Sequence, residues 1–290
     1  MRYSIVHTTN YKYQEKVNLC HNIVILSPRN SNSQICHSFN IAISPVPEIF
    51  DEYEDFFGNR NCYFEIEQEH ESLTVTATSI VEKIYSQYNQ NNYSWQSWES
   101  VRDAINGSKG KMADIKQFSC VTEITATNRS VLQYAEQSFT NNRPLYEAVR
   151  DLMQRIYHDF KYTTGFTTIS TPLSLVMEER KGVCQDFAHL AIACLRAMQL
   201  PARYVSGYIE TSQADEKEKL AGADASHAWF SVYIPEMGWV DFDPTNNHLP
   251  GEHHICIGWG RDYFDIAPLR GVILSGRPHD LSVLVDVRRI

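Results

Sequence analysis

The stretch Gly182-Val183-Cys184-Gln185-Asp186-Phe187-Ala188-His189-Leu190 decides how the chain is read, because signals elsewhere fit together as partners of its cysteine. Apolar residues recur at Phe187, Leu190, Ala191, Cys194, Leu195 and Met198. That spacing of three and four predicts an amphipathic helix with one buried face. Cys184 then falls in the first turn, where unpaired backbone N–H groups and the positive end of the helix dipole favour a thiolate. Gly182 lets the chain approach closely before the helix and leaves room for a substrate carbonyl beside the sulfur. A cysteine alone is more often a small buried hydrophobe than a nucleophile, so the downstream sequence carries the weight.

Forty-three residues on (227 − 184), Ser226-His227-Ala228-Trp229 opens an aromatic and β-branched run to Ile234 that predicts a strand. Sixteen residues further (243 − 227), Gly238-Trp239-Val240-Asp241-Phe242-Asp243-Pro244-Thr245 predicts the next strand, stopped by proline. Pro235-Glu236-Met237-Gly238 between them has hairpin composition. His227 at the start of one strand then lies beside Asp243 at the end of its partner. A helix-borne thiol, an imidazole and a carboxylate in one place are the nucleophile, general base and orienter of an acyl-transfer triad. Asp241, two residues before Asp243 and on the same face of a strand, is the fallback orienter.

The segments GVCQDFAHLAIACLRAMQLPARYVSGY (182–208), DASHAWFSVYIP (224–235) and GWVDFDPTNN (238–247) resemble the transglutaminase-like superfamily, relatives of the papain-type cysteine peptidases. More narrowly, the chain resembles bacterial transglutaminase-like proteins commonly described as cysteine proteases, which carry an N-terminal β-rich domain. MRYSIVHTTNYKY (1–13), LSPR (26–29), FFGN (56–59) and GRDYFDIAPLRGV (260–272) are similar to that subgroup, so the resemblance covers nearly the whole chain. It implies Cys184, His227 and Asp243 as the catalytic cysteine, histidine and aspartate. Gln199 departs from the pattern, since relatives commonly place a glycine there to end the helix.

With 43% apolar and 12% aromatic residues in 290, the chain can fill a substantial core as one large or two modest domains. A net charge of −9 argues against nucleic acid or an anionic membrane as the main partner. No apolar run approaches the roughly 18 residues of a membrane span, and the N-terminus lacks an apolar signal core. The expected localisation is cytoplasmic. Seven cysteines, odd in number and without a CxxC pair, suit reduced thiols.

Residues 1–83 alternate apolar and polar, as at Ile35, Phe39, Ile41 and Ile43 or Leu73, Val75 and Ala77, with breaks at Pro45-Val46-Pro47 and Gly58-Asn59-Arg60-Asn61. A small antiparallel sandwich or barrel is expected. His7, His21, His37 and His70 are scattered through it and read as satisfied or exposed side chains. Polar residues 87–92 mark a boundary. Helices are expected around Trp95, Trp98, Val101 and Ile105, over 131–139, and over 145–157 behind Pro144. The Thr-rich loop 163–171 reads either as the wall of an acyl-donor cleft or as a connector. A short helix over 173–180, a strand over 202–209 and a charged loop over 210–225 follow. His248, His253, His254 and Cys256 fit no familiar zinc spacing. Residues 272–275 and 281–288 close the chain as edge or hairpin strands.

The expected architecture is α+β. An N-terminal all-β domain, residues 1–86, precedes a papain-like, transglutaminase-like catalytic domain, residues 87–290, with a helical first part and the Cys184 helix packed on an antiparallel sheet. The expected function is cysteine-dependent hydrolysis of a peptide or protein amide through a thioester, with the Cys184 N–H as one oxyanion donor. Transfer of the acyl group to an amine and a non-catalytic binding module are the alternatives. Transfer needs an apolar channel for the amine; Trp229 and Trp239 flank the histidine and aspartate but serve a core equally well. The chemistry requires no metal or organic cofactor.

Overall fold

The computed structural model describes residues 1–84, 95–108, 110, 112–210, 226–235, 237–274 and 278–290. Six α-helices precede or include the cysteine among these residues: α1 (Trp98–Gly107), α2 (Ala113–Lys116), α3 (Arg129–Glu136), α4 (Leu145–Asp159), α5 (Leu173–Glu179) and α6 (Cys184–Ala197). Helix α6 is the centre of the second half of the chain. Cys184 and all residues from Asp186 to Arg196 are buried, so the expected single apolar face understates it.

The polar side of α6 is buried because its groups are satisfied internally. His189 Nε2 accepts the Tyr263 N–H at 3.2 Å, and its ring stacks on Tyr204 at 4.9 Å. Arg196 donates to the carbonyls of Phe118 (3.0 Å), Ala202 (3.2 Å) and Arg261 (2.6 Å) and to the Thr125 hydroxyl. A fully bonded guanidinium is tolerated where an unpaired one is not. Leaving α6, Gln199 takes φ = +60°, and the Leu200 N–H reaches back to the Leu195 carbonyl at 2.9 Å. This is the left-handed exit that glycine makes without strain, and Gln199 makes it here without a glycine.

Helices α3, α4 and α5 pack around α6, and on its other side lies an antiparallel sheet. Its strands are β9 (Ala202–Ile209), β10 (His227–Ile234), β11 (Gly238–Phe242) and β12 (His254–Gly260), in the order β11-β10-β9-β12. The predicted hairpin is present, with Phe230 opposite Phe242 and Ile234 opposite Gly238. Trp95 does not join the helix expected around it: α1 starts at Trp98 behind the Ser97 cap, and Trp95 is 77% exposed. The expectations for 87–92 and 211–225 lie outside the described residues.

The first part of the chain forms β1 (Arg2–Val17), β2 (Cys20–Val24), β3 (Gln34–Ser44), β4 (Ile49–Glu54), β5 (Arg60–Ile66) and β6 (His70–Lys83). The last two strands, β13 (Leu269–Ile273) and β14 (His279–Arg289), return to them. The result is two antiparallel sheets, β14-β1-β6-β3 and β13-β2-β5-β4. Both β13 and β14 are edge strands, as expected for 281–288 and for the described part of 272–275, but of the N-terminal sheets: Tyr3 faces Arg289 and Val24 faces Leu269; residue 275 lies outside the described residues. The two sheets close over Tyr3, Ile5, Val24, Phe64, Leu73 and Val75, all buried.

The LSPR and FFGN stretches fasten these sheets to the sheet beside α6. Arg29 Nη1 donates to Asn59 Oδ1 at 2.9 Å, and its guanidinium lies 3.7 Å over the Trp259 ring. Asn59 in turn bonds the Trp259 backbone in both directions, Nδ2 to O at 2.9 Å and N to Oδ1 at 3.1 Å. Gly58 takes φ = +73°, a left-handed conformation that favours glycine, and a Cβ there would also stand 2.9 Å from the end of the Arg29 side chain. No described helix is long and apolar enough to cross a membrane.

Candidate active site

The start of α6 is built by Asp186 folding back over it. Its Oδ2 accepts the Val183 N–H at 2.8 Å and the Thr167 hydroxyl at 2.6 Å. A Cβ on Gly182 would meet the Asp186 Cβ and Oδ2 at 2.9 Å. The glycine therefore makes room for Asp186, where a substrate carbonyl was expected. The short strands β7 (Lys161–Tyr162) and β8 (Lys181–Gly182) pair in parallel just before Cys184, and the Thr163 N–H donates to the Gly182 carbonyl at 2.8 Å. The Thr-rich loop is thus anchored at Thr163 and Thr167 beside the helix start.

Cys184 occupies the first turn of α6, as expected, and is 9% exposed. Tyr162 stands beside it. Burial first, then the charges of Cys184 and Asp186, push the Tyr162 phenol up to about 12, so at neutral pH it is a hydroxyl donor. Tyr162 was not singled out in the sequence; its place directly before the Thr-rich loop was the available signal.

His227 and Asp243 come together where the hairpin predicted them. His227 Nε2 lies 2.9 Å from Asp243 Oδ2, with both side chains fully buried. A carboxylate only accepts, so Nε2 carries the proton and Nδ1 is left for the thiol side. Nδ1 is buried and meets no partner at ordinary hydrogen-bond geometry, although Cys184 acts on the ring both as a charge and as a hydrogen-bonding group. Such contacts are commonly long in unliganded sites. Burial, the largest influence, disfavours the imidazolium; Asp243 and then Cys184 outweigh it and raise the His227 pKa to about 10. Burial would likewise raise Asp243, but His227 and His254 hold its carboxyl well below the usual range.

Asp243 is the most heavily bonded side chain of the group. Oδ1 accepts the N–H groups of Thr245 (2.9 Å) and Asn246 (3.3 Å). Oδ2 accepts, besides His227, Asn246 Nδ2 at 2.8 Å and His254 Nε2 at 3.1 Å. His254 is 2% exposed, and burial lowers its pKa to about 4. It is therefore a neutral donor that helps fix the carboxylate, a role the sequence did not reveal.

The four residues grouped around position 250 do not gather into one cluster, although the His248 and His254 rings meet edge to face at 5.0 Å. His253 Nδ1 bonds Glu210 at 2.7 Å, His248 pairs with Asp243 through the backbone, and Cys256 lies further along β12. His227, Asp243 and His254 do bring ligand atoms within 4.8 Å of one another, two imidazoles and a carboxylate of the kind that zinc accepts. In this structure those atoms are spent on the hydrogen bonds just described. Asp241 sits opposite Ser231 within the hairpin, whereas Asp243 has passed the end of β11 and turned into a bridge with His248. The turn, not strand alternation, aims Asp243 at the imidazole.

The chain belongs to the transglutaminase-like superfamily. Residues 132–244 match the family model of that name, and residues 3–82 match the bacterial transglutaminase-like N-terminal region. An uncharacterized protein of Mycobacterium tuberculosis is 40% identical over 99% of this chain and 92% of its own. A Pseudomonas aeruginosa protein named protein-glutamine gamma-glutamyltransferase is 34% identical over 45% of this chain and 21% of its own. The same fold occurs in a solved structure from Cytophaga hutchinsonii described as a "putative cysteine protease", with a TM-score of 0.76 and 24% identity over 99% of this chain and 90% of that one.

Proposed function

We propose that the protein is a cysteine-dependent hydrolase of peptide or protein amides, with Cys184 as nucleophile, His227 as proton carrier and Asp243 as the group that holds its ring. The observation that carries this reading is the commitment of His227: Nε2 is bound to Asp243, and Nδ1 is buried and reserved for the side on which Cys184 acts. An imidazolium there keeps a thiolate beside it. The thiolate attacks the amide carbon, and the oxyanion forms against the unpaired N–H groups at the start of α6. The imidazolium passes its proton to the departing amine as the C–N bond breaks, leaving a thioester. A water then attacks the thioester, the neutral imidazole takes its proton, and the acid and thiolate are released.

Acyl transfer to a primary amine shares every step to the thioester and differs in what enters next. The likeness of part of the chain to the named gamma-glutamyltransferase favours keeping it as the second reading. The test supplies a glutaminyl or peptide ester with increasing primary amine and quantifies both products by mass spectrometry. Hydrolysis is expected to dominate at millimolar amine. Capture of most of the acyl group by the amine replaces the hydrolase with a transglutaminase, and turnover unchanged in Cys184→Ala defeats both.

A further inference from the structure

The face of the sheet turned away from α6 borders a cavity of about 920 Å³, which β6 and the loop after β2 wall from the N-terminal side and α4 from another. Tyr204 stacks on α6, so its neighbours Arg203 and Val205 point the opposite way, into this cavity with Trp229, Trp239 and Trp259. The volume is near the upper end of small-molecule sites, roughly 300–1,000 Å³.

The lining is cationic in an acidic protein. Among the described residues the lining carries Arg29, Lys83, Arg150 and Arg203 beside Asp241 and Glu252, although the chain carries a net charge of −9. Arg203 lies 3.8 Å from the Trp259 ring centre and 4.5 Å from that of Trp239. Stacking of this kind holds the guanidinium flat against the indole walls. Lys83 is half-buried, and among the described residues its ammonium makes no hydrogen bond or ion pair; Cys256 and Asp241 act on it only at a distance. A desolvated cation without a counter-charge is unfavourable. Trp229 Nε1, on the same wall, is a buried donor without a partner among the described residues.

We propose that this cavity binds a carboxylate ligand with an aromatic or alkyl body, its carboxylate paired with Lys83 and its body laid against Trp229, Trp239 and Trp259. One unpaired ammonium beside a stacked guanidinium suits a monoanion, and three indoles supply the apolar surface. The cavity also reaches His254, which places the occupant one side chain from Asp243. The site is separate from Cys184, and the proposal does not depend on the activity assigned to that residue.

The test titrates the full chain with 4-phenylbutanoate, following tryptophan fluorescence and heat of binding, beside 4-phenylbutan-1-ol and 4-phenylbutan-1-amine. The acid is expected to saturate and to bind about tenfold or more tighter than the alcohol, the scale of one charge-assisted hydrogen bond. Lys83→Met should abolish that preference and Lys83→Arg should keep it. The wild-type comparison decides even if Lys83→Met fails to fold: an acid that binds no tighter than the alcohol or the amine overturns the proposal. So does a folded Lys83→Met with wild-type selectivity.

Discussion

Asp243→Asn is the substitution whose consequences the structure specifies most fully. The amide keeps an oxygen for Thr245 and Asn246, whose N–H groups bond Oδ1. Its NH2 group then faces three donors that Oδ2 now accepts, from His227, His254 and Asn246. Removing one partner of a buried charge pair costs about 3–5 kcal/mol, a large share of a typical stability of roughly 5–15 kcal/mol. The loss should carry a pH signature. His227 has a folded pKa raised to about 10 from its ordinary value of 6.5. Its protonation therefore stabilises the wild type fully below pH 6.5, and that contribution is lost as pH rises through 10. In Asp243→Asn the carboxylate that raises this pKa is gone, so the gap between the proteins should be widest near pH 6 and narrow towards pH 10. Urea unfolding followed by the fluorescence of the five tryptophans at pH 6, 8 and 10 measures this, with Asp241→Asn as the milder control. A gap that is independent of pH, or below about 1 kcal/mol against the 3–5 expected, would refute the reasoning.

His254→Gln should lower stability by about 1.5–3 kcal/mol, the range for a hydrogen bond to a charged group, and should slow Cys184 chemistry without abolishing it; unfolding and turnover together check this. Gln199→Gly should raise stability by about 1 kcal/mol, because a non-glycine residue at φ = +60° carries roughly that strain, with turnover unchanged. Iodoacetamide at neutral pH should modify Cys184 before the exposed Cys120 and well before Cys62, Cys194 and Cys256, whose thiols burial pushes up to about 12. Peptide mapping after brief labelling gives the order.

The local parts of the site were legible because they rest on short-range rules. Periodicity placed Cys184 on the first turn, and hairpin composition placed His227 near Asp243. What was not legible depends on partners far along the chain. Alternation marks residues 281–288 as a strand but does not say that β1 receives it. His254 lies eleven residues beyond Asp243 (254 − 243), and only the turn after β11 returns it to the carboxylate. Asp186, His189 and Arg196 share the polar side of α6 and suggest solvent. The capping bond to Val183, the Tyr263 N–H and three backbone carbonyls replace that solvent. Gly182 was legible as a close approach, but what approaches it is Asp186, a contact within its own turn.

The central claim is that the acyl group rests on the Cys184 sulfur. The direct measurement is acid quenching of the protein during turnover of an activated peptide ester, followed by intact-mass analysis and peptide mapping. The account predicts one acyl adduct, on the peptide containing Cys184, labile to hydroxylamine and absent in Cys184→Ala. Turnover with no adduct on Cys184, or an adduct on another residue that survives in Cys184→Ala, would contradict it.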